Sequence, residues 1–246
     1  LVGSEMCIRD RYYGGYGMRF DSSYLIYLLI ALIVPMLAQG YLSSTFNQYL
    51  RVRASSGLTG ADVARRILDR NGLQHVHLTE VGGRLSDHYD PSRKTVRLSR
   101  DIYHGTSIAA LAVAAHECGH AIQHANAYAP LQFRSAMFPV VNFANKFGYL
   151  AILLGFIFGG SSFLLLGIIL VGVTVLFQIV TLPVEFNAST RAVAQLSEMN
   201  ILYGNEEKAG ARKVLTAAAL TYVAGAVVAI AELLRLIMIF NSRNND

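Results

Sequence analysis

Four stretches of this chain are long and apolar enough to cross a bilayer, with a buried core helix as the alternative, and they dictate what the rest of it can become. They cover residues 22–42, 136–158, 161–182 and 216–240. The first is broken only by Pro35, and the third carries no charge. The second contains Lys146, and the fourth holds Glu232 and Arg235 toward its end. About 20 apolar residues cross the hydrocarbon of a bilayer, so all four are expected to be transmembrane helices. Composition agrees, since only 15% of the residues are charged, against about 25% in a typical soluble domain. The first stretch follows Arg19 and Asp21 and lacks a small-residue cleavage site, which reads as an anchor rather than a signal peptide. Residues 1–11 are set aside: Met6-Cys7-Ile8-Arg9-Asp10-Arg11 reads as a translated sequencing adaptor, an expected assembly scar in which Cys7 carries no meaning.

Between the first two spans lies a polar segment, residues 43–134. It opens with a helix that Thr59 caps and Asp62 completes as a capping box, with Val63, Ile67 and Leu68 on one face and Asn71-Gly72 as its end. Two β-like runs follow, Val76-His77-Leu78 and Thr95-Val96-Arg97-Leu98, the second preceded by the turn Asp90-Pro91-Ser92. After Gly105-Thr106-Ser107 a long helix begins and runs through small apolar residues into His116. The expected fold is a mainly α membrane protein of about four transmembrane helices, with a small α+β zincin-like cytoplasmic segment carrying that helix. Arg51 and Arg53 follow the first span, and Arg191, Lys208, Arg212 and Lys213 lie in residues 183–215, while the Gly159-Gly160 linker has no charge. The positive-inside rule therefore puts both polar segments in the cytoplasm and the N-terminus outside, in a multi-pass protein of the plasma or inner membrane. The net charge of +5 is scattered, with no basic stripe among aromatics, which argues against a nucleic-acid partner. The expected partners are the lipid bilayer and a peptide or membrane-protein substrate; nothing in the sequence fixes an oligomeric state.

The chemistry is concentrated in His116-Glu117-Cys118-Gly119-His120, an H-E-x-x-H pattern. Residues four apart on a helix share a face, so both imidazoles can reach one zinc ion, and Glu117 beside them can take a proton from the water that the metal activates. Cys118 points off that face and is read as a spectator. A catalytic zinc wants a third protein ligand and an open position. His124 lies about 12 Å along the axis from His116, too far for a straight helix to bring both to one ion; it is read as a supporting residue or a helix-end cap. Glu185 is the better candidate. It follows the third span in Leu182-Pro183-Val184-Glu185, where Pro183 suits the first turn of a fresh helix. The hairpin of spans two and three returns it to the membrane face from which the metal helix departs.

The chain resembles the YugP-like membrane neutral zinc metallopeptidases over residues 24–240. The resemblance rests on Ser55-Ser56-Gly57-Leu58-Thr59-Gly60, Asp87-His88-Tyr89-Asp90-Pro91, the H-E-x-x-H segment through Gln123-His124, and Leu182 through Ala188. It implies a membrane-bound peptidase dependent on one Zn2+ per chain. More distantly, Glu185-x-x-Ala188 is similar to the E-x-x-A-D segment of HtpX-like and CAAX prenyl protease gluzincins. There the glutamate is the third ligand and an aspartate buttresses a histidine. Ser189 stands here in place of that aspartate, so the support of the histidines must be built differently.

Asn187, Ser189 or Asp90 could accept the second N–H of a metal-bound histidine. His88, Tyr89 and Arg191 are candidates for stabilising an oxyanion. His75, His77 and His104 read as surface or turn residues. Thr95–Leu98 is a candidate edge strand for docking an extended peptide, or else an interior strand. Two other functions compete with the peptidase. A site-2-type intramembrane protease takes its third ligand from an Asp in a later span, and no Asp occurs between Asp101 and Asp246. A membrane scaffold without turnover would have no need of His116, Glu117, His120 and Glu185 together.

Overall fold

The computed structural model describes residues 22–158 and 161–244; the expected scar and the Gly159-Gly160 linker lie outside the described residues. Seven helices and three strands follow in the order α1 (Ser22–Leu50), α2 (Gly60–Arg70), β1 (His77–Val81), β2 (His88–Asp90), β3 (Thr95–Ser99), α3 (Arg100–Tyr103), α4 (Ile108–Ala125), α5 (Ala129–Phe158), α6 (Ser161–Glu198) and α7 (Gly204–Asn244). Four of these helices, α1, α5, α6 and α7, are long and apolar enough to cross a membrane. Their bounds exceed the apolar stretches because each helix runs on past the lipid-like segment into the polar half. The last turns of α1, for example, bury Thr45 and Phe46.

The polar half is a small α+β unit. At α2 the Thr59 hydroxyl accepts from the Asp62 amide at 3.1 Å while the Asp62 carboxylate accepts from the Thr59 amide at 2.9 Å, a reciprocal cap that satisfies two otherwise orphaned donors. Strand β3 lies in the middle of the sheet, parallel to β1 and antiparallel to β2. Thr95–Leu98 is therefore an interior strand, with Val96 and Leu98 fully buried, and the exposed edges belong to β1 and β2. Ser107 caps α4 by accepting from the Ala110 amide. Ile108 through Ala112, Ala114, Ala115 and Cys118 are buried along it, packed against α2 on one side and α6 and α7 on the other. Small side chains let these neighbours approach. At Gly119 a Cβ would sit 2.7 Å from the carbonyl oxygen of Ala188 on α6, a separation that real Cβ atoms do not reach.

The apolar helices pack as an open row, α1 on α7, α7 on α6 and α6 on α5. Gly148, Gly155 and Gly167 lie where α5 and α6 come closest, as small residues do wherever helices associate in lipid. Helix α6 does not restart at Pro183 but passes straight through it. Proline costs an interior helix one backbone hydrogen bond, a loss tolerated where neighbouring groups take up the freed polar atoms. The carbonyl left without its donor is that of Ile179, one turn earlier; just past the proline, Gln123 of α4 donates to the Val184 carbonyl at 2.8 Å and ties α6 to α4. Glu185 thus projects from the middle of a long helix, with its position fixed by the α4–α6 contact at Gly119.

Candidate metal centre

His116 and His120 stand on one face of α4 with ring centroids 4.8 Å apart and planes at 86°. From α6 the Glu185 carboxylate points between them, with Oε2 at 3.4 Å from His116 Nε2 and 3.6 Å from His120 Nε2. One ligand atom from each residue falls within 4.8 Å of the others, close to the spacing around a tetrahedral zinc, whose bonds of about 2.0–2.2 Å hold ligand atoms under 4 Å apart. Glu185 is 3% exposed, and its Oε2 has no hydrogen-bond donor among the described residues. A buried carboxylate oxygen without a donor is costly, whereas a cation between it and two imidazole nitrogens would satisfy all three. The residues present fit zinc. The other oxygen, Oε1, meets Arg134 Nη1 at 3.3 Å.

The far sides of both imidazoles are tied down. His116 Nδ1 lies 3.2 Å from Ser189 Oγ, and His120 Nδ1 lies 3.0 Å from Gln123 Oε1. Gln123 is fully buried, and its amide nitrogen donates to the Val184 carbonyl and to Asn187 Oδ1. Its oxygen is thus left to accept, and the network assigns the Nδ1–H tautomer to His120. His120 Nε2 is then left with its lone pair facing Glu185, the orientation a metal needs, and the Ser189 hydroxyl can accept from His116 Nδ1–H to give the same arrangement there. Arg191 Nε donates to Asn187 Oδ1 at 2.8 Å and extends this network.

Glu117, 8% exposed, lines the same small recess of about 130 Å³ as His116, Glu185, Ser189, Asp87 and Tyr222. Burial pushes its carboxyl above the usual range, while the adjacent imidazoles pull the other way. For His120, burial favours the neutral ring, but the Glu185 and Glu117 carboxylates outweigh it and raise the affinity for a proton. Cys118 is buried against the Ala64 carbonyl, and desolvation holds its thiol protonated.

Other candidates from the sequence lie elsewhere. His88 is exposed with Nδ1 against the Ser86 carbonyl, and the Tyr89 hydroxyl pairs with His124 Nδ1 at 2.9 Å. Neither these three nor Arg191 lines the recess. Asp90 caps its own turn by accepting from Ser92 and Arg93. From the same motif it is Asp87 that faces the recess, its carboxylate accepting from the Ser99 amide and hydroxyl and its protonation favoured by burial. Sequence reasoning passed over Gln123, Arg134, Asp87 and Tyr222. Gln123 carries the clearest signal, three residues after His120 and therefore on the ligand side of α4.

Residues 24–241 match the family described as "Putative neutral zinc metallopeptidase". The chain belongs to this family. It is also 51% identical over 223 residues to "Putative membrane protease YugP" of Bacillus subtilis (strain 168), an alignment covering 90% of this chain and 99% of that relative. No solved structure matches. That relative and the four apolar helices support a membrane protein.

Proposed function

We propose that this protein is a membrane-bound, zinc-dependent endopeptidase in which His116, His120 and Glu185 hold one zinc ion per chain. The observation that carries the reading is the buried Glu185 Oε2, without a donor and facing two imidazole nitrogens. Zinc, when bound, supplies a Lewis acid for the scissile carbonyl and lowers the pKa of water to about 7. Glu117 takes the proton of the attacking water and delivers it to the leaving amine. Its buried position raises its basicity toward that task. Ser189 and Gln123 hold the imidazoles in register, and Tyr222 and Arg134, at the wall of the recess and at Glu185, are placed to steady negative charge. The active site faces the cytoplasm, an assignment supported by Arg51, Arg53, Lys208, Arg212 and Lys213.

The test compares wild type with Glu117→Gln as purified full-length protein. Zinc content, read by elemental analysis, stays at one per chain in both. Peptide cleavage by the variant falls about 10²–10⁴-fold, roughly 3–5 kcal/mol of barrier. Cleavage within about threefold of wild type would remove Glu117 from the mechanism. A wild type that binds zinc and cleaves neither unfolded peptides nor membrane proteins would make the chain a scaffold.

A further inference from the structure

The row of apolar helices is open on one side. Helices α1 and α5 share no extended contact, and between them, floored by α6 and α7, lies a cavity of about 540 Å³. A gap between membrane helices that faces only lipid would be lined by hydrocarbon. This one carries Gln39, Asn145, Tyr149, Thr174, Thr221 and Glu232. Polar groups at membrane depth are expensive and are kept where they serve a function. Some are partnered: Thr174 donates to Asn145 Oδ1 at 2.9 Å, and Glu232 is buried in a two-bonded pair with Arg235.

The slot lies in line with the metal recess along two helices. On α1, Pro35, Ala38 and Gln39 line the slot while Leu42 and Phe46 line the recess, and all five fall on one helical face. On α7, Val214, Ala218 and Tyr222 of the recess continue into Gly225, Ala229 and Glu232 of the slot at helical spacing. Residues 221–232 rise about 16 Å along the axis, roughly half the thickness of a bilayer's hydrocarbon. Beyond the recess, Ser189, Leu215 and Ala219 are shared with a further groove between α6 and α7 that holds Thr190 and Arg212. The slot, the recess beside His116 and Glu185, and the groove toward the polar half are therefore arranged end to end along α7.

From this we infer that the slot between α1 and α5 seats the membrane-inserted end of a substrate's transmembrane segment, and that the enzyme's substrates are membrane proteins cut where that segment leaves the bilayer. The inference rests on the peptidase reading above. The slot's chemistry favours a polypeptide over a lipid chain. A peptide bond inside an intact helix has its carbonyl tied to an N–H four residues on, so the span must unwind before a bond can enter the recess. In hydrocarbon every amide so released needs a partner. Gln39 and the Asn145 amide nitrogen offer donors to such a backbone, and the hydroxyl oxygens of Thr174 and Thr221, whose protons go to Asn145 Oδ1 and the Ala218 carbonyl, offer acceptors; an acyl chain would use none of them.

The experiment uses zinc-loaded full-length protein in phospholipid vesicles. The substrates are a Leu/Ala single-span reporter carrying a randomised unfolded tail, and the same tail library as free peptides. Holding the tail at the membrane raises its local concentration in any case, so the ratio of inserted to free cleavage is compared between wild type and Gly225→Leu. Gly225 lines the slot, and a Cβ there would meet nothing nearer than Gln178 Oε1 at 3.7 Å. That ratio is expected to fall about tenfold or more, as when a linked second contact is lost. An unchanged ratio, or free tails cut as fast as inserted ones by wild type, overturns the slot while leaving the peptidase intact. Failure to cut either library would instead fail the peptidase. A second arm decides the slot in either case. A photoreactive phenylalanine at Asn145 in the Glu117→Gln protein should capture the reporter's span, and one at Leu165 of α6, outside the slot, should not. Adducts at Asn145 with phospholipid alone, or with a second copy of this chain, would overturn the inference.

Discussion

The half of the molecule around α4 and the half made of the long apolar helices use hydrophobic side chains in opposite ways. Around α4 nearly every apolar residue is turned inward, with Val63, Ile67, Leu98, Ile102 and Leu111 completely buried in one core. Along α5, α6 and α7 the large apolar residues mostly face outward, among them Phe143, Leu153, Leu165, Ile169 and Leu234. The first half excludes water by packing on itself. The second needs an apolar solvent and is held together mainly by close helix contacts at small residues. The candidate metal ligands lie on the seam: both histidines come from the packed half and Glu185 from α6. A rigid, close-packed helix can hold two imidazoles in one orientation, while the looser half leaves room for a ligand to enter from the side.

The contrast would break first at equivalent leucines. Leu111→Ala opens a hole where nothing is exposed and should cost about 2–5 kcal/mol, lowering the thermal midpoint of the full chain in detergent by on the order of 10 °C. Leu165→Ala, on a side chain 45% exposed, should stay within about 0.5 kcal/mol, as surface changes do. Equal losses at the two positions would mean that the apolar half packs on itself as tightly as the core.

The seam can be sharpened through the groups behind the histidines. Ser189→Ala removes the partner of His116 Nδ1, and Gln123→Leu removes that of His120 Nδ1. Each should weaken zinc binding about 10–100-fold, measured by competition with a chelator. Gln123→Leu should have the larger effect, because Gln123 also bonds α6 at Val184 and Asn187. Zinc affinity unchanged in both variants would show that helix packing alone orients the rings.

How much of this could be read from the residues differs between the halves for a physical reason. Local chemistry was legible: the Thr59–Asp62 cap, the Ser107 start of α4 and the apolar runs that became α1 and α5–α7 each depend on neighbours in sequence. So was the approach of His116, His120 and Glu185, because spacing on one helix and the return of a helical hairpin are both countable. What depends on long-range packing was not legible. Pro183 looked like the start of a helix, because the packing on α4 that holds α6 together around it, with Gln123 bonded to the Val184 carbonyl, comes from some 60 residues away. The order β1-β3-β2, which makes Thr95–Ser99 interior, follows from a parallel pairing that no turn announces. Asp87 and His88 are adjacent, and only the strand register decides that the first faces the recess while the second faces solvent.

The smallest effect expected, and the most local, concerns the cap that starts α2 beneath α4. The Asp62 carboxylate accepts from the Thr59 amide and hydroxyl, and these bonds hold its pKa below the usual value. A carboxyl whose folded pKa is depressed adds stability above its unfolded pKa, near 3.9, and loses it as the pH falls through the folded value. Asp62→Asn, which keeps the shape but not the charge, should therefore cost about 0.5–1 kcal/mol at pH 7, the usual worth of a cap. The gap to wild type should begin to close below about pH 4 and vanish once the native carboxyl is also protonated. Hydrogen exchange of the α2 amides, corrected for the intrinsic pH dependence, reads this directly, and amides of the lipid-facing turns of α6 serve as the internal control. A gap that widened on acidification would have the wrong sign for a carboxylate cap and would assign the start of α2 to packing under α4 instead.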